Sequence, residues 1–138
     1  MEFQLLKRTL LTMSLIALCP LAARAGCSNL HGTQIVLMSN SYDPDVLVWD
    51  SQKRLSSYAT NSYQVARLLL PHAFLARAGT LAILMFCKSN VVRPKYGSSP
   101  SDIAGVRMTN GQYRGRKGWV MMGDVHVLAD RSTHRRHP

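Results

Sequence analysis

Carboxylates are scarce in this chain. Seven acidic residues stand against 17 Lys and Arg among 138 residues, a formal net charge of +10. Glu2 is the sole Glu, and the others are Asp43, Asp45, Asp50, Asp102, Asp124 and Asp130. Such an imbalance favours anionic glycans, acidic proteins or a membrane surface as partners. Long apolar runs are missing as well. A spanning helix needs about 20 apolar residues, and the largely apolar run 9–19 stops well short of that. Cysteine numbers three, and no set of four closely paired ligands appears, so no structural zinc and no other cofactor is expected. His134 and His137 would hold an ion only weakly, and His31, His72 and His126 have no recognisable partners in sequence. Neither an internal repeat nor a long low-complexity tract is present, which leaves an ordinary globular domain.

The N-terminus has the parts of an export signal. Lys7 and Arg8 form a positive stretch, residues 9–19 an apolar one, and Pro20 breaks that helix. Ala23-Arg24-Ala25 then places small residues ahead of a cut between Ala25 and Gly26. A lipoprotein site at Cys27 is a second option, but Arg24 stands where such sites usually carry Leu. Residues 1–25 thus read as a signal peptide, and the protein as periplasmic or secreted. Cleavage removes Lys7, Arg8, Arg24 and Glu2, leaving 113 residues of net charge +8. That is one domain, 26–130, followed by a basic tail, 131–138. Cys19 leaves with the signal. In an oxidising compartment the remaining Cys27 and Cys87 read most simply as a disulfide, with two free buried thiols as the alternative. Closing that loop is worth about 4 kcal/mol on the chain-entropy account.

Periodicity supplies the elements. Residues 34–38 and 46–49 are short β-type runs, joined through the turn Ser41-Tyr42-Asp43-Pro44-Asp45. From Gln52 the period changes: Leu55, Tyr58, Ala59, Val65, Ala66 and Leu69 recur at helical spacing. Asp50 or Ser51 caps this helix, which stops before Pro71. The run 80–87 is apolar throughout and fits a strand buried on both faces, the outer one beneath the helix. Residues 88–101 read as a long surface loop, 103–109 as a strand, Asn110-Gly111 as a turn, and 115–122 as the returning strand. Residues 125–128 add a closing strand.

The residues Val106…Asn110-Gly111-Gln112-Tyr113…Gly115…Gly118-Trp119-Val120, with the Gly79-Thr80 strand start, resemble bacterial Src-homology-3-like (SH3-like) domains of exported proteins. The resemblance covers residues 79–128. It implies a mainly β fold with one helix (α+β). In it an N-terminal hairpin and helix, 26–78, pack on a small five-strand SH3-like barrel, 79–128. Eukaryotic relatives line a proline-peptide groove with a Pro and a Tyr whose places fall here on Met121 and Asp124. Polyproline recognition is therefore not expected.

Candidate binding residues cluster near that motif. Arg114, Arg116 and Lys117 would neutralise anionic groups, and Tyr113, Trp119 and loop residue Tyr96 would offer aromatic contact. Each also has a plainer explanation in solvated hairpin cations or strand packing. Lys88, Arg93, Lys95 and Arg107 would extend the basic face. Asp124 and His126 share one face of a strand, but no convincing nucleophile accompanies them, so no enzyme is expected. The leading expectation is a non-catalytic exported module that binds an envelope protein or a peptidoglycan-type polymer. The alternatives are an inhibitor of an envelope enzyme or toxin, and an RNA or anionic-polymer binder acting through the basic hairpin. Export argues against nucleic acid as the normal partner.

Overall fold

β-Branched and aromatic runs become strands in the computed structural model, which describes Cys27 and residues 30–128. The expected signal segment with its Ala25–Gly26 cut, and the basic tail, lie outside the described residues. The strands are β1 (Gln34–Leu37), β2 (Val46–Trp49), β3 (Ala73–Ala76), β4 (Thr80–Val92), β5 (Ser101–Met108), β6 (Lys117–Met121) and β7 (Val125–Val127). Between β2 and β3 lie α1 (Gln52–Thr60) and α2 (Tyr63–Leu69). All seven strands join one antiparallel sheet in the order β3-β2-β6-β5-β4-β1-β7. The sheet curls into a half-barrel.

This arrangement corrects the expected architecture. There is no N-terminal hairpin packed on a separate SH3-like barrel. β1 pairs with β4 and β7, while β2 pairs with β3 and β6. Strands from 26–78 and 79–128 are therefore intermixed in one sheet, with β1 between β4 and β7 and β2 beside β6. The reason is local: residues 38–45 are too long for a tight hairpin turn and bond to themselves. Ser39 N donates to the Pro44 carbonyl at 2.9 Å, and Ser41 Oγ donates to the Asp43 carbonyl at 2.8 Å.

The single expected helix is two. Ser51 Oγ caps α1 by accepting from Arg54 N at 3.3 Å. Asn61 ends it, with an extended backbone and its Nδ2 donating to the Ser57 carbonyl at 2.7 Å. Residues 73–76, which the sequence patterns left without an element, form β3 along β2. Much of the expected 88–101 loop is also sheet, since β4 continues to Val92.

Alternation along the strands builds two cores. Ile35, Leu37, Val48, Leu84, Val106 and Val120 fill the inside of the curl. On the outer face Trp49, Leu55, Val92 and Ile103 are buried together where α1 lies on the sheet. Leu55 carries that helix contact and is 1% exposed. Cys27 and Cys87 form a disulfide with Cα atoms 5.2 Å apart, a normal span for the bond. The Cys87 sulfur packs 3.8 Å from Met122 Sδ.

Candidate functional site

The sheet register sets side chains in rows on the outer face. Phe86 stands opposite Gly105, Gly105 opposite Trp119, and Trp119 opposite Trp49. Phe86 faces outward because the β4 register shifts between Leu84 and Phe86, a bulge that inserts Met85. Without it, Phe86 would share the inward face of Leu84. Gly105 has no side chain to separate its neighbours, so the aromatic rings close over it. A Cβ there would lie 3.2 Å from Phe86 Cδ2 and 3.3 Å from Trp119 Cη2. The two rings sit 6.4 Å apart and 22° from parallel.

Helix α1 covers Trp49, which packs on Tyr58 at 4.7 Å, but leaves the other end of the row open. Phe86 is 54% exposed and Trp119 half-buried. His31 meets Phe86 edge-on at 6.2 Å. Cations bracket the pair. Lys88 Nζ lies 5.7 Å from the Trp119 ring and donates to Gln52 Oε1 at 3.1 Å. On the other side the next outward row sets Arg107 directly opposite Lys117, both exposed. Like charges facing each other across a sheet repel. Among the described residues, ion pairs form only between Asp50 and the side chains of Arg54 and His72, so no carboxylate neutralises this group.

Of the expected binding residues, Trp119 and Lys117 lie on this face, beside the basic extension Lys88 and Arg107. The others do not. Tyr113 turns to the opposite side and packs on Phe74 at 4.4 Å, half-buried at the end of the inner core. The Arg116 guanidinium lies 4.2 Å over Phe74 and 5.6 Å from the Tyr113 ring. Arg114 is exposed in the turn, where its N donates to the Gly111 carbonyl at 3.3 Å. Tyr96 is 88% exposed in the segment 93–100. Phe86 escaped the sequence reading because the run 80–87 has the composition of a strand buried on both sides. In fact α1 rests farther along, over Ile103 and Val92, and leaves Phe86 open.

His126 Nε2 lies 2.9 Å from the Met38 carbonyl, which can only accept, so this nitrogen carries the proton. Burial pushes the Asp124 carboxyl above its ordinary range, opposed by a hydrogen bond with Ser39 and by the charge of His126. With its Nε2 on a backbone carbonyl, His126 does not serve a hydroxyl nucleophile through that atom. Among the described residues no group of three or more His, Cys, Asp or Glu is placed to hold a metal ion, and no helix is long and apolar enough to cross a membrane. Comparison with known protein families, curated proteins and solved structures finds no match.

Proposed function

We propose that this protein is a non-catalytic binding module of the cell envelope, exported by residues 1–25, whose outer sheet face takes an anionic polysaccharide. The observation that carries the reading is the open Phe86–Trp119 pair set between Lys88 and the Arg107–Lys117 row. The apolar C–H face of a sugar ring stacks on such rings, while carboxylate or phosphate substituents meet the flanking cations. The repulsion between Arg107 and Lys117, a few tenths of a kcal/mol or more when unrelieved, turns into attraction once an anion sits between them. Aromatic and Arg side chains also dominate interface energetics generally.

The test is equilibrium binding of the oxidised chain to soluble peptidoglycan fragments and to an uncharged glucan at two salt concentrations. Binding of the charged polymer should weaken with salt, and Phe86→Ala with Trp119→Ala should each lower it about tenfold or more, the size of a hot-spot loss. Equal capture of the uncharged glucan, or unaltered binding by both variants, refutes the assignment. Stacked rings between cations also suit single-stranded nucleic acid. A short oligonucleotide that outcompetes the glycan would therefore move the function to that class. An envelope protein retained at high salt would instead mark an inhibitor or other protein-binding module. Export is tested separately, by whether the mature N-terminus is Gly26.

A further inference from the structure

A strongly basic chain keeps one hollow free of cations. It lies between α1 and the β2–β3 part of the outer face, reaches Met121 of β6, and encloses about 480 Å³. Its floor is apolar, made chiefly by Leu47, Trp49, Leu55 and Tyr58. Asp43, Asp45 and Asp124 stand in its wall. Three of the seven acids of the chain thus line this hollow, and no Lys or Arg among the described residues does. Volumes of about 300–1,000 Å³ with mostly apolar walls and a few placed polar groups are typical of small-molecule sites.

The carboxylates retain binding capacity. Asp45 Oδ1 accepts from Ala78 N at 2.8 Å, and Asp43 Oδ1 accepts from Asp45 N at 3.2 Å. A carboxylate offers about four acceptor positions on its two oxygens, so each has room for a further donor. Asp124 is partly buried, with Ser39 and His126 as its favourable neighbours. Tyr58, partly exposed and backed by the buried Trp49 ring, adds an aromatic surface that attracts a nearby cation.

We propose that this groove binds a small organic cation, a protonated primary amine carried on an aromatic body. The ammonium takes the Asp43, Asp45 and Asp124 side, and the apolar body lies on Leu47, Tyr58 and Leu75, the accessible apolar side chains of the groove. A neutral alcohol of the same shape keeps only the apolar contacts. A carboxylate of that shape meets repulsion as well. The charge preference is opposite to that of the Phe86–Trp119 face, so the two sites are told apart by ligand sign and each stands or falls alone.

The experiment titrates the oxidised chain with phenethylammonium, phenethyl alcohol and phenylacetate, following the Trp49 indole and the Ala59 and Met121 amides by NMR. Phenethylammonium should shift these signals and bind about tenfold or more tightly than the alcohol, the selectivity expected of a charge-assisted contact. Phenylacetate should leave them in place. Asp43→Asn combined with Asp124→Asn should bring the ammonium down to the affinity of the alcohol. Ala59→Phe, an exposed helix position in the groove wall, should block both ligands with all three carboxylates intact, which keeps the test valid if the double variant does not fold. Equal affinity for ammonium and alcohol, shifts confined to other residues, or unaltered binding by Ala59→Phe overturns the proposal.

Discussion

Replacing Gly118 by Ala should be among the most damaging single-methyl changes available in this sheet. Gly118 lies in β6 opposite Val106, facing the inner core. A Cβ at that position would overlap Val48 Cγ1 and lie 2.9 Å from the Trp49 carbonyl oxygen. Neither neighbour gives way easily. Val48 is fully buried and β-branched, with restricted side-chain rotation, and the Trp49 oxygen belongs to the β2 backbone. β2 meets β6 through the single register pair Trp49–Trp119, so moving it also disturbs the outer core around Trp49. Overpacking a dense core costs about 1–3 kcal/mol, and a backbone clash places this case near 3 kcal/mol. For a domain of this size that lowers Tm by about 12–24 °C. The assay is urea unfolding followed by Trp fluorescence, with Gly123→Ala as control. Gly123 has nothing within 4 Å of its ideal Cβ, and its variant should stay within about 0.5 kcal/mol of the parent. Adding Val48→Ala to Gly118→Ala removes one of the overlapping atoms, so the pair should show a favourable coupling of about 1 kcal/mol or more. A Gly118→Ala protein as stable as the Gly123→Ala control, or one uncoupled from Val48, would refute the steric argument.

Three further outcomes are expected. Reducing the Cys27–Cys87 bond, which spans 60 residues of sequence, should cost about 4 kcal/mol, read as the loss in urea midpoint on adding dithiothreitol. Ser51→Ala removes the hydroxyl that accepts from Arg54 N and should destabilise the fold by about 1 kcal/mol in the same assay. Asp124 has a folded pKa raised above its ordinary value of 3.8, so the native state holds this proton more tightly than the unfolded chain. Its contribution is fully present below about pH 3.8 and is lost as pH rises through the folded pKa. The stability of Asp124→Asn relative to the parent should therefore climb across that window and level off above it, measured by urea midpoints at a series of pH values.

Strand-forming runs could be read directly from the chain. Gln34–Leu37, Val46–Trp49 and Lys117–Met121 owe their structure to β-branched and aromatic residues of short period. The Cys27–Cys87 pairing followed from setting Cys19 aside with the signal and from the expected oxidising compartment, and the disulfide is present. Partners were harder, because pairing across a sheet is decided by whole-face burial rather than by neighbours in sequence. β1 thus finds β4 and β7 in place of β2. The segment Ala-Phe-Leu-Ala at 73–76 has modest strand preference and becomes β3 only by lying along β2. One helical period runs through Leu55, Tyr58, Ala66 and Leu69, and it hides the break at Asn61-Ser62 where a new helix begins. The bulge at Met85 left no compositional mark, so the outward turn of Phe86 was not visible. Gly118 was legible as a glycine of consequence, but its reason is the close passage of β2 rather than a turn conformation.

The position of β1 between β4 and β7 also governs when the fold can form. Its neighbours lie far down the chain, and those of β2 include β6, so few of these pairings can be made by a nascent N-terminal half alone. Sheets built from such distant partners fold in milliseconds to seconds, because ordering a long loop precedes the reward of contact. A chain still being threaded through a membrane pore would have its early strands exposed and unpaired. If the proposed export holds, it would reach the far side unfolded, and the disulfide, spanning 60 residues of sequence, could close only after residue 87 had arrived there.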